Sequence, residues 1–369
     1  MKIITTIGTS LVTNVINPLR NRCDLSEDEK TALECFSKLQ QKDYKEKTNL
    51  QEEYDFLKEF VVDSVEFSEK SSAEIKSLIN ISKNQKFQNH YLEVIPIATD
   101  TILAPMCAEV LKVLIEDNLS IDVNYSEQYI IEDLQVSDYK RYKKGLINLL
   151  NKLNSFSNQE LILNITGGFK GIIPYMTIYG QVNNIPLFYI FEFTSSLIEI
   201  PQVPLTIDYD IFEKEWKTFY KIDSEEIVEK DALNFEFLKE YENLLEIEGD
   251  FVSLNPLGKI LWDRYKKDHY IFYTTDEVWQ EIQKLKNIQS ILKTKFLATY
   301  ENKTEMKNNH RVYDDGNNPN RIFYFDQKNS IYIYKVFEDH DKYERYLNSI
   351  EFCNNIKDET ISNSHIFKL

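Results

Sequence analysis

The feature that most constrains the fold is an apolar strand that runs directly into a glycine-rich turn. Residues 160–165 (ELILNI) have the length and composition of a buried strand. The next six residues, TGGFKG, hold three of the nine glycines of the chain, and the helix-like run IIPYMTIYGQV follows. Because a strand that turns sharply into a helix is the unit from which parallel sheets are built, this segment predicts an α/β fold.

The first 200 residues repeat this alternation of strands and helices. Strands are predicted at residues 2–7, 91–98, 160–165, 186–192 and 196–200, with a weaker one in 121–131, and helices at 26–63, 72–83, 102–116 and 139–154. In parallel sheets, ligands bind beyond the carboxyl ends of the strands. The candidate binding loops are therefore residues 8–14, 99–101 and 164–171.

The loop at residues 164–171 has the chemistry of an anion site. Its glycines let backbone N–H groups approach an anion, and the N-terminus of the following helix adds partial positive charge. Lys170 adds a full charge, and Asn164 and Thr166 add hydrogen-bonding groups. The pattern is neither a Walker loop nor a dinucleotide fingerprint. It predicts phosphate binding; the alternative is a tight turn whose glycines serve packing only.

Two further loops are less specific. Gly8-Thr9-Ser10 follows the first strand and is a second candidate loop for ligand binding. An ordinary turn without a ligand is an equal alternative. Asp100 stands between two threonines before a predicted helix, so its expected role is to cap that helix, with ligand contact as the second interpretation.

Charge narrows the classes of function. Asp and Glu number 60 against 43 Lys and Arg, a formal net charge of -17, which argues against broad binding of nucleic acids. The excess lies almost wholly in residues 1–270, because residues 271–350 hold twelve residues of each sign. The four cysteines show no metal-ligand spacing, so no metal site is expected. No apolar run has membrane-spanning length and the start is unlike a signal peptide, so a soluble cytoplasmic protein without membrane contact is expected.

The pattern changes after residue 205, and three domains are predicted, at residues 1–205, 206–270 and 271–369. The middle segment begins with a charged connector. A predicted helix, a turn at Gly249-Asp250 and a second predicted helix follow, and together they look like a winged helix. The last segment is a small α+β module: a helical stretch at 276–297, strands at 310–314, 320–326 and 330–337, and a short terminal segment.

The N-terminal motifs TIGTSL, ATDT and NITGGFKG, in this order, resemble the CARF domain, the CRISPR-associated Rossmann fold of CRISPR-linked accessory ribonucleases. The resemblance implies a Rossmann-like fold and a homodimer that binds cyclic oligoadenylate across its two-fold axis. Cyclic tetra-adenylate is the expected allosteric activator, and no cofactor is expected. The candidate ligand-binding residues are Gly8, Thr9, Ser10, Asn164, Thr166, Gly167, Gly168 and Lys170.

The C-terminal segment resembles RelE/HigB-type mRNA interferase toxins, through HRVYDDG, NRIFYFD and SIYIYKVFEDHDKYERYL. The resemblance implies metal-independent cleavage of mRNA. Such cleavage needs an acid, a base and cations around the scissile phosphate. Toxins of this type are usually basic, whereas this module is neutral, so the ribosome or the rest of the dimer is expected to supply contacts. The candidate catalytic residues are Arg311, Arg321, His340, Lys342, Tyr343 and Arg345.

Together these resemblances predict a cyclic oligoadenylate-activated mRNA interferase of type III CRISPR defence that acts on the ribosome. Two alternatives stay open. Arg264 and His269 fit the short R-x4-6-H motif of HEPN ribonucleases, which cleave free RNA. A ligand-responsive transcription regulator would instead use the winged helix to bind DNA, although the acidic charge of residues 1–270 opposes this.

Overall fold

The computed structural model describes residues 1–119, 121–135, 138–156, 159–191, 194, 196–204, 208–296, 299–300, 302–316, 318–327 and 330–369. The chain folds into two compact units. The first consists of Met1–Ile207 with Asn255–Ile260, and the second of Asp208–Leu254 with Leu261–Leu369. The division into three domains, at residues 205 and 270, stays a prediction.

The first unit is a sheet flanked by helices. Its helices are α1 (Ser10–Leu19), α2 (Glu27–Leu39), α3 (Gln51–Ser64), α4 (Ala73–Ser82), α5 (Leu103–Asn118), α6 (Tyr139–Asn154) and α7 (Ile173–Val182). Its strands are β1 (Lys2–Ile7), β2 (Glu93–Thr99), β3 (Asp122–Val123), β4 (Ile130–Ile131), β5 (Leu161–Asn164), β6 (Leu187–Ile190) and β7 (Leu197–Ile200).

The sheet of this unit is mostly parallel. Its order is β3-β2-β1-β5-β6-β7, with β4 paired to β2, and only β7 runs antiparallel to its neighbour. The prediction of an α/β fold built on a parallel sheet is therefore confirmed. The chain proceeds outward from β1 first to one side and later to the other, so the strand order reverses at β1. The loops that follow β1 and β5 consequently meet at one edge of the sheet.

Most predicted helices of this unit are present. Helix α6 has the predicted bounds, because Leu146, Leu149 and Leu153 form one buried stripe and the Asp138 carboxylate accepts hydrogen bonds from the first N–H groups of the helix. The helical character predicted for 26–63 is confirmed, but the segment is divided: α2 and α3 are separated by a 3-10 helix at Tyr44–Leu50. Both α2 and α3 bury apolar side chains in the same core, so the break lets the chain fold back on itself.

The second unit contains two sheets. Its helices are α8 (Asp210–Glu213), α9 (Trp216–Glu225), α10 (Phe235–Glu240), α11 (Pro256–Asp268, which contains the boundary between the units), α12 (Asp276–Lys284), α13 (Lys286–Ile291), α14 (His340–Ser349) and α15 (Asn354–Asn363). Its strands are β8 (Val228–Glu229), β9 (Leu245–Glu248), β10 (Phe251–Leu254), β11 (Ile271–Thr275), β12 (Thr304–Lys307), β13 (His310–Asp314), β14 (Arg321–Gln327), β15 (Ser330–Phe337) and β16 (Ser364–Lys368).

The larger sheet has the order β12-β13-β14-β15-β11-β16, and the smaller one the order β8-β10-β9. The predicted strands at 310–314 and 330–337 are confirmed, and the one at 320–326 is displaced by one residue. Strands β11, β12 and β16 were not predicted. Strand β12 (TEMK) is a short polar edge strand, and such strands lack the apolar alternation by which a strand is recognised in sequence.

The two faces of the larger sheet carry separate cores. Ile322 and Tyr324 pack with the apolar side chains of α12 and α13 on one face. Phe323 and Phe325 pack with Tyr343 of α14 on the other face. Because successive strand residues point to opposite faces, neighbours in the sequence of β14 serve different cores. Among the described residues, every helix is too short or too polar to cross a membrane.

Gly145 provides a test of the packing in the first unit. Alanine in place of a helical glycine ordinarily stabilises a protein by about 1 kcal/mol. In α6, however, a Cβ at Gly145 would lie 2.3 Å from the Cα of Leu134 and 2.5 Å from the carbonyl carbon of Asp133, and backbone cannot move aside as a side chain can. We expect Gly145→Ala to lower the free energy of unfolding by about 1–3 kcal/mol, measured by urea denaturation.

The matched control for this change is Gly180→Ala in α7. There the added Cβ would meet the Cδ1 (2.7 Å), Cγ (2.8 Å) and Cδ2 (3.0 Å) of Leu187, which are side-chain atoms and can shift more easily than backbone. The loss of stability should be smaller than for Gly145→Ala. A Gly145→Ala variant that is as stable as the unmodified chain would contradict this account of α6.

Candidate functional site

The first candidate site lies where β1 and β5 end. These strands are parallel neighbours, so the N-terminal loop (residues 8–10) lies beside the glycine loop (residues 166–171). A Cβ at Gly8 would lie 3.2 Å from the backbone nitrogen of Gly168. Gly168 has a φ of +85°, a backbone conformation that residues other than glycine rarely adopt. A Cβ at this position would lie 2.8 Å from the Cβ of Thr6. Close approach of the two loops therefore depends on glycine at both positions.

Two of the predicted ligand residues hold the glycine loop in shape. Asn164 is fully buried, and its amide donates hydrogen bonds to the hydroxyls of Thr5 (2.8 Å) and Ser77 (2.7 Å). The hydroxyl of Thr166 accepts a hydrogen bond from the backbone N–H of Ile190 at 3.0 Å. Both side chains are thus engaged with the framework of the unit in this conformation.

The other predicted ligand residues are brought together at this edge. Gly8, Thr9 and Ser10 are half-buried, Gly167 is buried, and Lys170 is exposed at the start of a short 3-10 helix. The hydroxyl of Thr6 donates to the carbonyl of Gly167 at 2.6 Å and ties the glycine loop to β1.

Glu74 is a member of this site that sequence analysis missed. Its side chain is 2% exposed and accepts hydrogen bonds from the backbone N–H of Gly8 (3.0 Å) and the hydroxyl of Ser10 (2.7 Å). In the sequence it is one of many carboxylates in residues 26–83. Since nothing in its local pattern sets it apart from solvated neighbours, only the fold identifies it.

The third predicted loop is held by an ion-pair cluster. The guanidinium of Arg141 contacts the carboxylates of Asp43 (2.8 Å), Asp100 (3.0 Å) and Asp133 (3.1 Å). The prediction that Asp100 caps the next helix is wrong: the residue before α5 is Ile102, and the Asp100 carboxylate accepts the backbone N–H of Asp133 instead. Burial raises the pKa of Asp100, against the opposing effects of that hydrogen bond and of Arg141.

Helix α6 connects this cluster to the glycine loop. The residue after Arg141, Tyr142, donates its hydroxyl to the carbonyl of Gly171 at 2.8 Å. Two consecutive residues of one helix thereby position the loop after β2 and the loop after β5.

The second candidate site is a cavity of about 770 Å³ in the second unit. It brings together Arg321, from the start of β14, and His340, from the start of α14. Both residues were predicted from sequence to be catalytic. The other lining residues are Asn302, Lys303, Thr304, Glu305, Asp314, Asp315, Gly316, Asn318 and Pro319.

Arg321 is held rigidly in this cavity. Its guanidinium donates to the backbone carbonyls of Asn318 (2.6 Å) and Asn320 (2.8 Å) and pairs with the Asp314 carboxylate at 2.8 Å. It lies 5.3 Å from the ring centroid of Tyr343, a cation–π distance. The side chain is 8% exposed, so its charge is presented from a pre-organised position.

Polar atoms without partners surround this arginine. Within the described residues, the Nε of Arg321, the side-chain oxygen of Asn320 and the hydroxyl of Tyr343 are buried and make no hydrogen bond. Buried polar groups in folded proteins are nearly always paired, so a group left unpaired needs a functional or ligand-related explanation. One of these residues, Arg321, lines the cavity, Asn320 precedes it in the chain, and the ring of Tyr343 contacts its guanidinium.

Acidic and basic groups alternate around the cavity. Asp315 lies 3.0 Å from the ammonium groups of both Lys295 and Lys303. Burial by itself would raise the pKa of Asp315, but the hydrogen bonds from these lysines outweigh burial and hold that pKa below its usual value. The same contact raises the pKa of Lys303.

The remaining predicted catalytic residues are dispersed. Lys342 and Arg345 are exposed on α14, the helix that begins at His340, and the imidazole of His340 lies 3.8 Å from the Glu344 carboxylate. Arg311 of β13 is aligned with Tyr324 of β14. Its guanidinium contacts the ring of Tyr324 and forms a salt bridge with Asp326. Arg311 therefore lies on the other face of the sheet from Arg321.

The residues of the HEPN-like motif have local partners. Arg264 pairs with Asp268 at 2.8 Å. The Nδ1 of His269 lies 3.0 Å from the carbonyl oxygen of Tyr265, and the imidazole stacks on that ring at 4.1 Å. They lie at the end of α11, in a unit built around β-sheets.

Part of the first unit matches a known protein family. Residues 69–203 match the model of a protein family described as CRISPR-associated protein (Cas_APE2256). The matched segment covers more than a third of the chain and includes Glu74, Asp100, Arg141 and the glycine loop. None of the curated proteins matches the chain. The family match supports an association of this protein with CRISPR systems.

Proposed function

We propose that this protein is a cyclic oligoadenylate-activated endoribonuclease of type III CRISPR defence that cleaves mRNA on the ribosome. The first unit would bind the activator as a homodimer, and the second unit would carry the nuclease. The observation that carries the nuclease assignment is the cavity that Arg321, from the start of a strand, and His340, from the start of a helix, line together.

The sensor assignment is supported by the edge of the sheet at β1 and β5. Backbone N–H groups of two glycine-containing loops and the cation of Lys170 are suited to the phosphates of a cyclic oligonucleotide. The family match over residues 69–203 supports the same assignment, since that segment includes the glycine loop. A symmetric ring suits two symmetric half-sites, which is why a homodimer is part of the proposal.

The nuclease chemistry is supported by the residue types at the cavity. In metal-independent RNA cleavage, the 2′-hydroxyl attacks the adjacent phosphate, so a base must accept its proton and an acid must protonate the leaving 5′-oxygen. Histidine exchanges protons near neutral pH, which suits His340 to one of these roles. Arg321 is placed to stabilise the charge that develops on the phosphate, and its bonds to Asp314 and two carbonyls fix its direction.

The proposed dependence on the ribosome is supported by the charge of the C-terminal segment. Residues 271–350 are neutral, so they offer little attraction to free RNA. Basic ribosomal proteins and an mRNA already held in an extended form would supply what this module lacks. The HEPN and transcription-regulator alternatives predict, respectively, cleavage without ribosomes and salt-sensitive DNA binding without cleavage.

Arg321 tests the nuclease site. We expect Arg321→Ala to reduce cleavage roughly 10²–10³-fold, because one fixed charge at the transition state contributes on this scale. The assay is mRNA cleavage with and without ribosomes, each with and without cyclic tetra-adenylate. Arg264→Ala, the matched arginine change at the end of α11, should leave cleavage intact. Loss of activity in Arg264→Ala together with full activity in Arg321→Ala would replace this proposal by the HEPN alternative.

Tyr343 separates catalysis from stability. Because its buried hydroxyl has no partner in the described part of the chain, Tyr343→Phe should unfold at equal or higher urea concentration, with a gain of up to about 1 kcal/mol. We expect the same change to lower cleavage at least tenfold. A variant that is stabilised and fully active would show that the hydroxyl takes no part in the reaction.

Lys170 tests the sensor site. We expect Lys170→Ala to weaken binding of cyclic tetra-adenylate roughly tenfold or more, since a charge-assisted hydrogen bond contributes about 1.5–3 kcal/mol. Isothermal titration calorimetry measures this directly. The exposed Lys140 of α6 provides the control, because Lys140→Ala makes the same change in net charge at a residue that is not part of the loops. Equal affinities of both variants would remove Lys170 from the site.

A further inference from the structure

The carboxylate of Glu74 occupies the centre of the first candidate site. One of its oxygens accepts the backbone N–H of Gly8 and the other accepts the hydroxyl of Ser10. A Cβ added at Gly167 would lie 2.3 Å from the same carboxylate. The two loops are thus closed around an acidic side chain that comes from another helix.

This carboxylate has no cationic partner. Among the described residues, no lysine, arginine or histidine lies within ion-pair distance of Glu74, although the side chain is only 2% exposed. Burial of an ionised carboxylate is costly unless hydrogen bonds or dipoles compensate it. Glu74 stands in the first turn of α4, and its donor Ser10 is the first residue of α1, so the carboxylate lies at the positive ends of two helices.

These compensating groups are those that a bound phosphate would use. Gly8 and Ser10 were predicted as ligand contacts, and Gly167 provides the space in the glycine loop where a ligand oxygen would come close. A carboxylate and a phosphate are both anions that accept hydrogen bonds from the same donors. The two cannot occupy one buried subsite together, because their charges repel in surroundings of low polarity.

We propose that Glu74 is an internal competitor for this phosphate subsite, and that a cyclic oligonucleotide binds only when its phosphate displaces the Glu74 carboxylate from Gly8 and Ser10. The inference rests on the proposed sensor function and deepens it. The energy spent on displacing Glu74 lowers the apparent affinity of the ligand, as in any protein whose binding-competent state is a minor one. Glu74 would thereby set the activator concentration at which the sensor responds.

Glu74→Gln tests this displacement. Glutamine has the same shape, its oxygen still accepts the Gly8 N–H, and its amide can donate to the Ser10 hydroxyl, but it carries no charge. We expect Glu74→Gln to bind cyclic tetra-adenylate at least tenfold more tightly than the unmodified protein, measured by isothermal titration calorimetry on the full chain. Circular dichroism and thermal unfolding establish that the variant is folded.

The control is Glu59→Gln, which makes the same change in net charge at an exposed position of α3. Its affinity should equal that of the unmodified protein. A folded Glu74→Gln that binds with unchanged or weaker affinity would overturn the proposal, because Glu74 would then be a structural group or a direct ligand contact. Equal gains in both glutamine variants would also overturn it, since they would reduce the effect to net charge.

A second measurement separates the failure of this proposal from the failure of the proposed function. Hydrogen exchange reports on the Gly8 N–H, and inorganic pyrophosphate serves as a probe that needs no adenine recognition. If no variant binds cyclic tetra-adenylate, the proposed activator is wrong. Displacement of Glu74 is still supported if pyrophosphate slows exchange at Gly8 more strongly in Glu74→Gln than in the unmodified protein. Equal effects of pyrophosphate in the two proteins would overturn it.

Discussion

The parallel pairing of β1 with β5 is the constraint on which the first unit depends. It aligns Thr5 with Asn164, so that the loops after both strands begin at the same level of the sheet. The buried amide of Asn164 reinforces this alignment by bonding to the hydroxyl of Thr5. Because the strand order reverses here, two helix N-termini and two glycine-containing turns converge on one point. That point is occupied by Glu74 in this conformation.

The second unit depends on the alternation of side chains along one antiparallel pair. In β13 and β14, Asp314 is aligned with Arg321, and their salt bridge fixes the guanidinium at the rim of the cavity. Three residues earlier in β13, Arg311 points to the opposite face. Two arginines that are equivalent as residue types therefore have different surroundings, and only Arg321 shares a cavity with His340.

Many helices and strands could be predicted because they depend on patterns of residues that are close together in the sequence. The leucine stripe of α6 and the capping residue Asp138 define that helix within the residues that form it. The break between α2 and α3 was missed because both segments carry helix-forming residues, and it is their packing into a shared core that requires the chain to turn. Asp100 was assigned to a helix cap from its position, whereas its partner Arg141 lies 41 residues further along the chain.

The sequence by itself determined the parallel sheet and the position of the glycine loop, because strand alternation and glycine usage are local consequences of backbone geometry. Arg321 and His340 became candidates through the resemblance of their segments to RelE/HigB-type toxins. The tertiary structure alone decided which charged groups meet. Glu74 comes from a segment more than sixty residues after Gly8, and nothing in that segment marks it, since the burial and pairing of a charge depend on elements that are distant in the sequence. The same holds for the cavity at Arg321: its residues come from separate elements of one unit, and only folding makes them neighbours.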